Sequence, residues 1–162
     1  MIPARAETAQ ERLLASLILE VFRLNGRLLS VADGLVARLG LTSASWQVLG
    51  AIGMAASPEP VARIARNMGL RRQSVQRIVN ELAEDGMIEF QENPYHRRAK
   101  LVLLTKKGRG VFEAAGQVGT PWMTSLVKDL DSERIFAARE VVEILRKRLD
   151  ETEQQDVGWV SK

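Results

Sequence analysis

Six of the seven residues from Arg71 to Arg77 are arginine, glutamine or serine, and the seventh is Val75. These are side chains that read a nucleic acid. An arginine fork pairs with guanine, a glutamine amide with adenine, and a serine hydroxyl meets a base edge or a phosphate. Arg71, Arg72, Gln73, Ser74, Gln76 and Arg77 are therefore the expected base and phosphate readers. A second cationic group, Arg97, Arg98 and Lys100, follows about twenty residues on. Arginines placed there suit phosphate or a narrow minor groove.

Parts for catalysis are missing. The chain has no cysteine and a single histidine, His96. That excludes disulfides and thiolate chemistry, and leaves nothing from which a histidine–cysteine metal site could be assembled. No glycine loop has the spacing of a phosphate cradle, and the carboxylates are scattered. The expectation is a binding protein, not an enzyme, with no cofactor and no metal.

Charge points the same way. Residues 61–107 hold ten Lys/Arg against five Asp/Glu, whereas the remainder holds thirteen against fifteen. Positive charge thus concentrates around the two reading groups, as phosphate binding requires. No apolar run approaches the ~18–20 residues of a membrane span, and the first residues lack a signal-peptide pattern. A cytoplasmic protein, on the nucleoid when bound to DNA, is expected.

The elements that must carry these groups are legible from spacing. In 61–80, Ala65 is small where a second helix approaches, and Gly69 is placed for a left-handed turn four residues later. Val75, Ile78 and Leu82 then share a helix face. This is the spacing of a helix-turn-helix whose second helix enters the major groove. Gly86 suits the end of that helix. MIEF at 87–90 and KLVLL at 100–104 are strand-prone runs around a polar ENPYHRR, with Asn93-Pro94 as a turn signal. A β-hairpin with a basic tip, directly after a helix-turn-helix, makes a winged helix.

Around this module the pattern is helical. Leu13, Leu14, Leu17, Ile18, Val21, Phe22, Leu28, Leu29, Leu35, Val36 and Leu39 predict a helix from about Glu7 to Leu39. Gly26 and Gly34 are candidate bends in it. At 1.5 Å per residue it spans roughly 50 Å, more than a small domain can cover. Gly40 should end it, and Thr42 or Ser43 should cap a helix to about Ala56. Ser57-Pro58-Glu59-Pro60 reads as a loop. After the wing, a helix from Lys106 to Leu130 is expected to be kinked or divided at Gly116 and Gly119-Thr120-Pro121. A last helix, capped by Asp131 or Ser132, runs to about Thr152. Residues 1–6 are expected to fray, and the tail at 153–162 is left open between disorder and folding back.

Residues 41–108 resemble the multiple antibiotic resistance regulator (MarR) family of winged-helix transcription factors. The resemblance rests on Leu41-Thr42 opening a helix with Trp46, Val48 and Leu49, on VARIARNMGL…SVQRIVNELAEDGMI, and on HRRAKLVLLTKKG closing the wing. The family's wing signature is Asp-x-Arg, a hydrophobic strand, then Leu-Thr-x-x-Gly. Arg98, Thr105 and Gly108 match, whereas His96 stands in the Asp position. That Asp is expected to hold the wing arginine by an ion pair. Neutral His96 cannot do so and protonated His96 would repel Arg98, so the wing must be ordered by other means.

The resulting expectation is a mainly α protein with a small β-wing. Its winged helix-turn-helix domain occupies 41–107, between an N-terminal dimerisation helix at 1–40 and C-terminal dimerisation helices at 108–152. The outer apolar stripes fit an intertwined homodimer, which the resemblance also implies. Two recognition helices would then sit ~34 Å apart on a pseudo-palindromic duplex. The resemblance further implies a small aromatic or anionic effector, with Phe22, Arg23, Arg27, Trp46, Trp122 and Met123 as candidate lining residues. A dimeric repressor is the expected function. The alternatives are a winged-helix protein-interaction module, or an activator or nucleoid protein of weak sequence preference.

Overall fold

The computed structural model describes residues 8–96 and 98–154. Expectations for residues 1–6, for Arg97 and for the tail from 155 onward lie outside the described residues. The chain forms two compact units, 1–120 and 121–162. In order, the elements are α1 (Ala9–Val36), a 3-10 turn (Ala37–Leu39), α2 (Ser43–Gly53), β1 (Glu59–Pro60), α3 (Val61–Met68), α4 (Arg72–Glu84), β2 (Ile88–Gln91), β3 (Leu101–Leu104), α5 (Lys106–Val127) and α6 (Ser132–Gln154). The fold is mostly helical with a small antiparallel sheet, as expected of a winged helix.

Helix starts are set by side chains that satisfy the first backbone amides. Thr8 Oγ1 accepts from Glu11 N–H at 3.1 Å while Glu11 Oε2 accepts from Thr8 N–H at 2.6 Å, a reciprocal cap on α1. Thr42 and Ser45 repeat the arrangement on α2 at 3.1 and 2.8 Å. Between these helices Asp33 Oδ1 accepts from Ser43 N–H at 2.6 Å, tying the end of α1 to the start of α2. That bond, and a weaker one with the Ser43 hydroxyl, holds the Asp33 carboxyl below its ordinary pKa.

The core sits where α2, α3, α4 and the sheet meet. Val75, Ile78, Val79 and Leu82 project from one face of α4 at helical spacing, and all are buried. They meet Val48, Leu49 and Ile52 of α2, Val61, Ile64 and Ala65 of α3, and Val102 of β3. Each fully buried Val or Leu contributes about 1.5–3 kcal/mol by leaving water. Leu49→Ala, which also leaves a cavity, would cost about 2–5 kcal/mol.

Three places differ from expectation. Ser57–Pro60 is not only a loop: Glu59 and Pro60 form β1, paired with Val102 and Leu101, giving the sheet order β1-β3-β2. A two-residue strand has no pattern of its own and exists because β3 offers its free edge. Second, Gly26 and Gly34 do not interrupt α1, which runs through both; each glycine costs only about 1 kcal/mol of propensity. Third, α5 is continuous from Lys106 to Val127 with Pro121 inside it. Proline removes one bond of the helical ladder, and the flanking turns carry the helix past it. Smaller shifts lie at the ends, with α2 stopping at Gly53 instead of Ala56.

Candidate nucleic-acid interface

The turn between α3 and α4 is closed by Gly69, at φ 65°. Leu70 N–H reaches back to Ala65 O at 2.9 Å and Gly69 N–H to Arg66 O at 3.1 Å, so the last carbonyls of α3 are satisfied by the turn itself. A side chain with a Cβ would be strained there. Buried Ala65 meanwhile lets α3 and α4 pack closely. The outcome is that α4 points its polar face outward.

Arg71, Arg72, Gln73, Ser74 and Arg77 are exposed, and Gln76 is half-buried. α4 opens at Arg71 with no side-chain cap and no acid in its first turn. A helix start of that kind, with its positive dipole end uncompensated, favours an incoming anion. The exposed residues fall into two rows, each stepping along the helix by about one turn. Arg72, Gln76 and Asn80 form one row, and Gln76 Nε2 donates to Asn80 Oδ1 at 2.9 Å. Gln73, Arg77 and Glu81 form the other, where Arg77 Nη1 pairs with Glu81 Oε1 at 2.5 Å. Arg72 and Arg98 form no ion pair among the described residues.

The first row opens onto the wing. A groove of about 350 Å³ is lined by Arg72 and Gln76 of α4, Arg98, Ala99 and Lys100 of the wing, Phe90 of β2, and Pro60, Val61 and Ala62 at the start of α3. The structure therefore brings Arg72, Gln76, Arg98 and Lys100 together. Arg71, Gln73, Ser74 and Arg77 share the exposed face of α4 outside this groove, and Arg97 lies outside the described residues. Sequence reading missed the apolar floor. Phe90 alternates with Glu89 along β2, which was the available signal; Pro60 and Ala62 gave none.

His96 stands where a wing-ordering acid is expected, and the described tip is ordered by Asn93 instead. This residue is buried, and its Oδ1 accepts from Tyr95 N–H at 3.0 Å. His96 acts through its backbone, donating to Asn93 O at 3.2 Å and accepting from Ala99 N–H at 2.9 Å. At the other end of the wing, Thr105 N–H donates to Met87 O at 3.0 Å and its hydroxyl to Gly86 O at 2.7 Å. Lys107 Nζ donates to Asp85 O at 2.6 Å, and Gly108 N–H donates to Thr105 Oγ1 at 3.1 Å. A Cβ on Gly108 would lie 1.8 Å from Met87 O. The Leu-Thr-x-x-Gly signature is thus a clasp between the end of α4 and the start of α5.

The candidate effector residues are not in this groove. Phe22, Arg23 and Arg27 are exposed on α1, with Arg23 paired to Glu20 at 2.6 Å. Trp46 is half-buried against the core, its ring edge 3.0 Å from where a Cβ on Gly119 would lie. In the second unit Trp122 is half-buried and Met123 exposed. Among the described residues, no group of His, Cys, Asp and Glu could hold a metal ion, and no helix is long and apolar enough to cross a membrane.

A sequence model described as the MarR family matches residues 39–99, the span from α2 to the wing. The uncharacterized protein Rv2011c of Mycobacterium tuberculosis is 35% identical over 127 residues, covering 78% of this chain and 87% of that protein. The chain belongs to the MarR family. It is a DNA-binding transcriptional regulator with the winged helix-turn-helix fold of that family. The transcriptional activatory protein BadR of Rhodopseudomonas palustris is 34% identical over 80 residues, 48% of this chain and 46% of BadR. The Mycobacterium tuberculosis transcriptional regulator MOSR, solved in complex with DNA, has the same fold. It superposes with a TM-score of 0.70 at 19% identity, over 83% of this chain and 96% of that one.

Proposed function

We propose that this MarR-family regulator is a homodimeric, sequence-specific repressor acting in the cytoplasm on a pseudo-palindromic operator. The observation that carries the reading is the groove in which Arg72 and Gln76 of the recognition helix face Arg98 and Lys100 of the wing. In this reading α4 enters the major groove, with Arg71, Arg72, Gln73, Ser74, Gln76 and Arg77 reading bases and phosphates. Arg98, Lys100 and Arg97 track the adjoining backbone or minor groove. Residues 41–107 are the reading domain, and 1–40 and 108–152 the dimerisation segments. The dimer is supported by the large apolar side chains exposed along α1 and α6. Its two reading helices engage major-groove turns ~34 Å apart, and occupancy of a promoter excludes polymerase.

Release would come from a small aromatic or anionic ligand that prefers a dimer whose reading helices are mis-spaced. Such a ligand shifts the population by its differential affinity for the two forms. BadR, an activatory protein by its name, favours a second reading in which the same contacts recruit rather than exclude polymerase. A reporter driven by the bound promoter separates the two, since loss of the protein raises expression for a repressor and lowers it for an activator. An interaction module fits less well, because a partner-binding helix exposes aromatic or aliphatic anchors and α4 exposes Arg, Gln and Ser.

The test is fluorescence anisotropy on the DNA upstream of the protein's own gene and on a scrambled duplex of equal length, at two salt concentrations. The reading expects a preference of at least ~10³-fold for the upstream duplex. Equal, strongly salt-dependent binding to both would reduce the contact to phosphate alone. No binding to either would remove the assignment.

A further inference from the structure

Gln76 is the half-buried member of the reading face, and it is tethered. Its Nε2 donates to Asn80 Oδ1 at 2.9 Å, one turn further along the row that begins at Arg72. Asn80 is exposed and does not line the groove that Gln76 enters. We infer that Asn80 is a positioning residue for base readout, fixing the Gln76 amide in the orientation that reads adenine. The inference rests on the DNA-reading assignment of α4 proposed above.

The chemistry is that of a primary amide. It has one acceptor oxygen and two N–H donors. A bidentate pair with adenine uses the oxygen to accept from N6 and one N–H to donate to N7. The hydrogen bond to Asn80 occupies one of the two N–H groups, and the oxygen and a second N–H remain for adenine. With Asn80 presenting its oxygen, the nitrogen end of the Gln76 amide is the end that faces it. An untethered glutamine can turn its amide over and exchange donor for acceptor, which weakens discrimination between bases. Tethering removes that freedom before DNA arrives, so less rotamer entropy is lost on binding. Arg77 differs, because its partner Glu81 is an exposed carboxylate, a weak tether that a phosphate can replace.

The experiment uses the full chain and the upstream duplex, with a panel of duplexes each carrying a single base-pair change. Gln76→Ala should flatten discrimination at one base pair of each half-site by about fivefold or more. Asn80→Ala should flatten the same base pair, leave the salt dependence unchanged, and add nothing in a Gln76→Ala background. Asn80→Asp keeps an acceptor at the same position and should retain the discrimination ratio, while the added charge lowers affinity on every duplex. Three results would overturn the inference with the DNA reading intact: equal weakening by Asn80→Ala on all duplexes, loss of discrimination at a different base pair, or additivity with Gln76→Ala. A silent Gln76→Ala would overturn it as well. A wild-type chain that does not separate upstream from scrambled DNA would overturn both readings together.

Discussion

The reading module and the outer helices bury their apolar residues to very different extents. Val48, Leu49, Val75 and Val79 are 0% exposed, whereas Leu13 on α1, Phe22 on α1 and Leu149 on α6 are 73%, 69% and 69% exposed. The module closes its own core with short helices and a three-stranded sheet. The 28 residues of α1 extend about 42 Å, and apolar side chains continue along that length where the module supplies nothing to meet them. Large apolar side chains exposed repeatedly along one helix are the kind of surface that an interaction covers. The module's core is closed within one chain, with Val36 of α1 and Ala115 of α5 completing it, whereas the exposed apolar side chains of the outer helices are what the proposed dimer would cover.

The comparison is broken most severely at Gly108. A methyl there meets Met87 O at 1.8 Å, and the obstacle is backbone, which cannot swing aside. Gly108→Ala should destabilise the protein by about 3 kcal/mol, the upper end of the usual cost of overpacking. Gly116 lies in the same helix, and a methyl on it would find nothing within 4 Å. Gly116→Ala should be neutral or stabilise by up to about 1 kcal/mol. Urea denaturation of the two variants checks both, and equal effects would mean that the clasp is not tight.

The second test is at Phe22. Phe22→Glu should leave the module folded, because the residue takes no part in its core. In the dimer it would remove a buried aromatic from each protomer, worth about 1.5–3 kcal/mol apiece. The monomer–dimer dissociation constant measured by sedimentation should rise by ~100-fold or more, corresponding to those energies, with DNA affinity falling alongside. An unchanged constant would take this part of α1 out of the interface.

Legibility follows the same division. Ala65, Gly69, Val75, Ile78 and Leu82 make the helix-turn-helix readable because their constraints are local, within a helix turn or one tight loop. Thr42 is readable as a cap for the same reason. β1 is not, since Glu59 and Pro60 become a strand only through pairing with β3, some forty residues away. The continuity of α5 through Pro121 escapes a reading from single-residue propensity, because the helical turns on either side carry the helix past the one missing bond. The groove floor at Phe90 and the ordering of the wing by Asn93 depend on contacts among separate elements. The proposed reading residues are chosen on side-chain chemistry alone, while the groove that collects four of them exists only after folding.

A smaller effect is expected at Arg98, which sharpens the contrast from the DNA side. Arg98→Ala removes an exposed cation from the groove without touching the core. Stability should stay within about 0.5 kcal/mol of wild type. DNA binding should weaken on all sequences, and the slope of log affinity against log salt should fall by about one. Unchanged affinity and slope would remove Arg98 from the interface.

The smallest effect concerns the joint between the long helix and the module. The Asp33 carboxyl, held below its ordinary pKa first by Ser43 N–H and then by the Ser43 hydroxyl, binds a proton less readily when folded than when unfolded. Its contribution is therefore fully present above the unfolded carboxyl pKa of about 4 and is lost as pH falls through the lower folded value. Glu11, lowered in the same sense by the Thr8 backbone and hydroxyl, adds an acid-side dependence of the same sign at the other end of α1. Asp33→Asn should flatten part of the fall in stability below about pH 4 while leaving the neutral-pH DNA affinity of the reading helix in place. Denaturant midpoints measured from about pH 3 to 7 on the wild type and this variant would show it. Identical pH profiles would mean that the cap of α2 does not depend on the charge at Asp33, and that α1 is joined to the module by packing of Val36 and Leu35 alone.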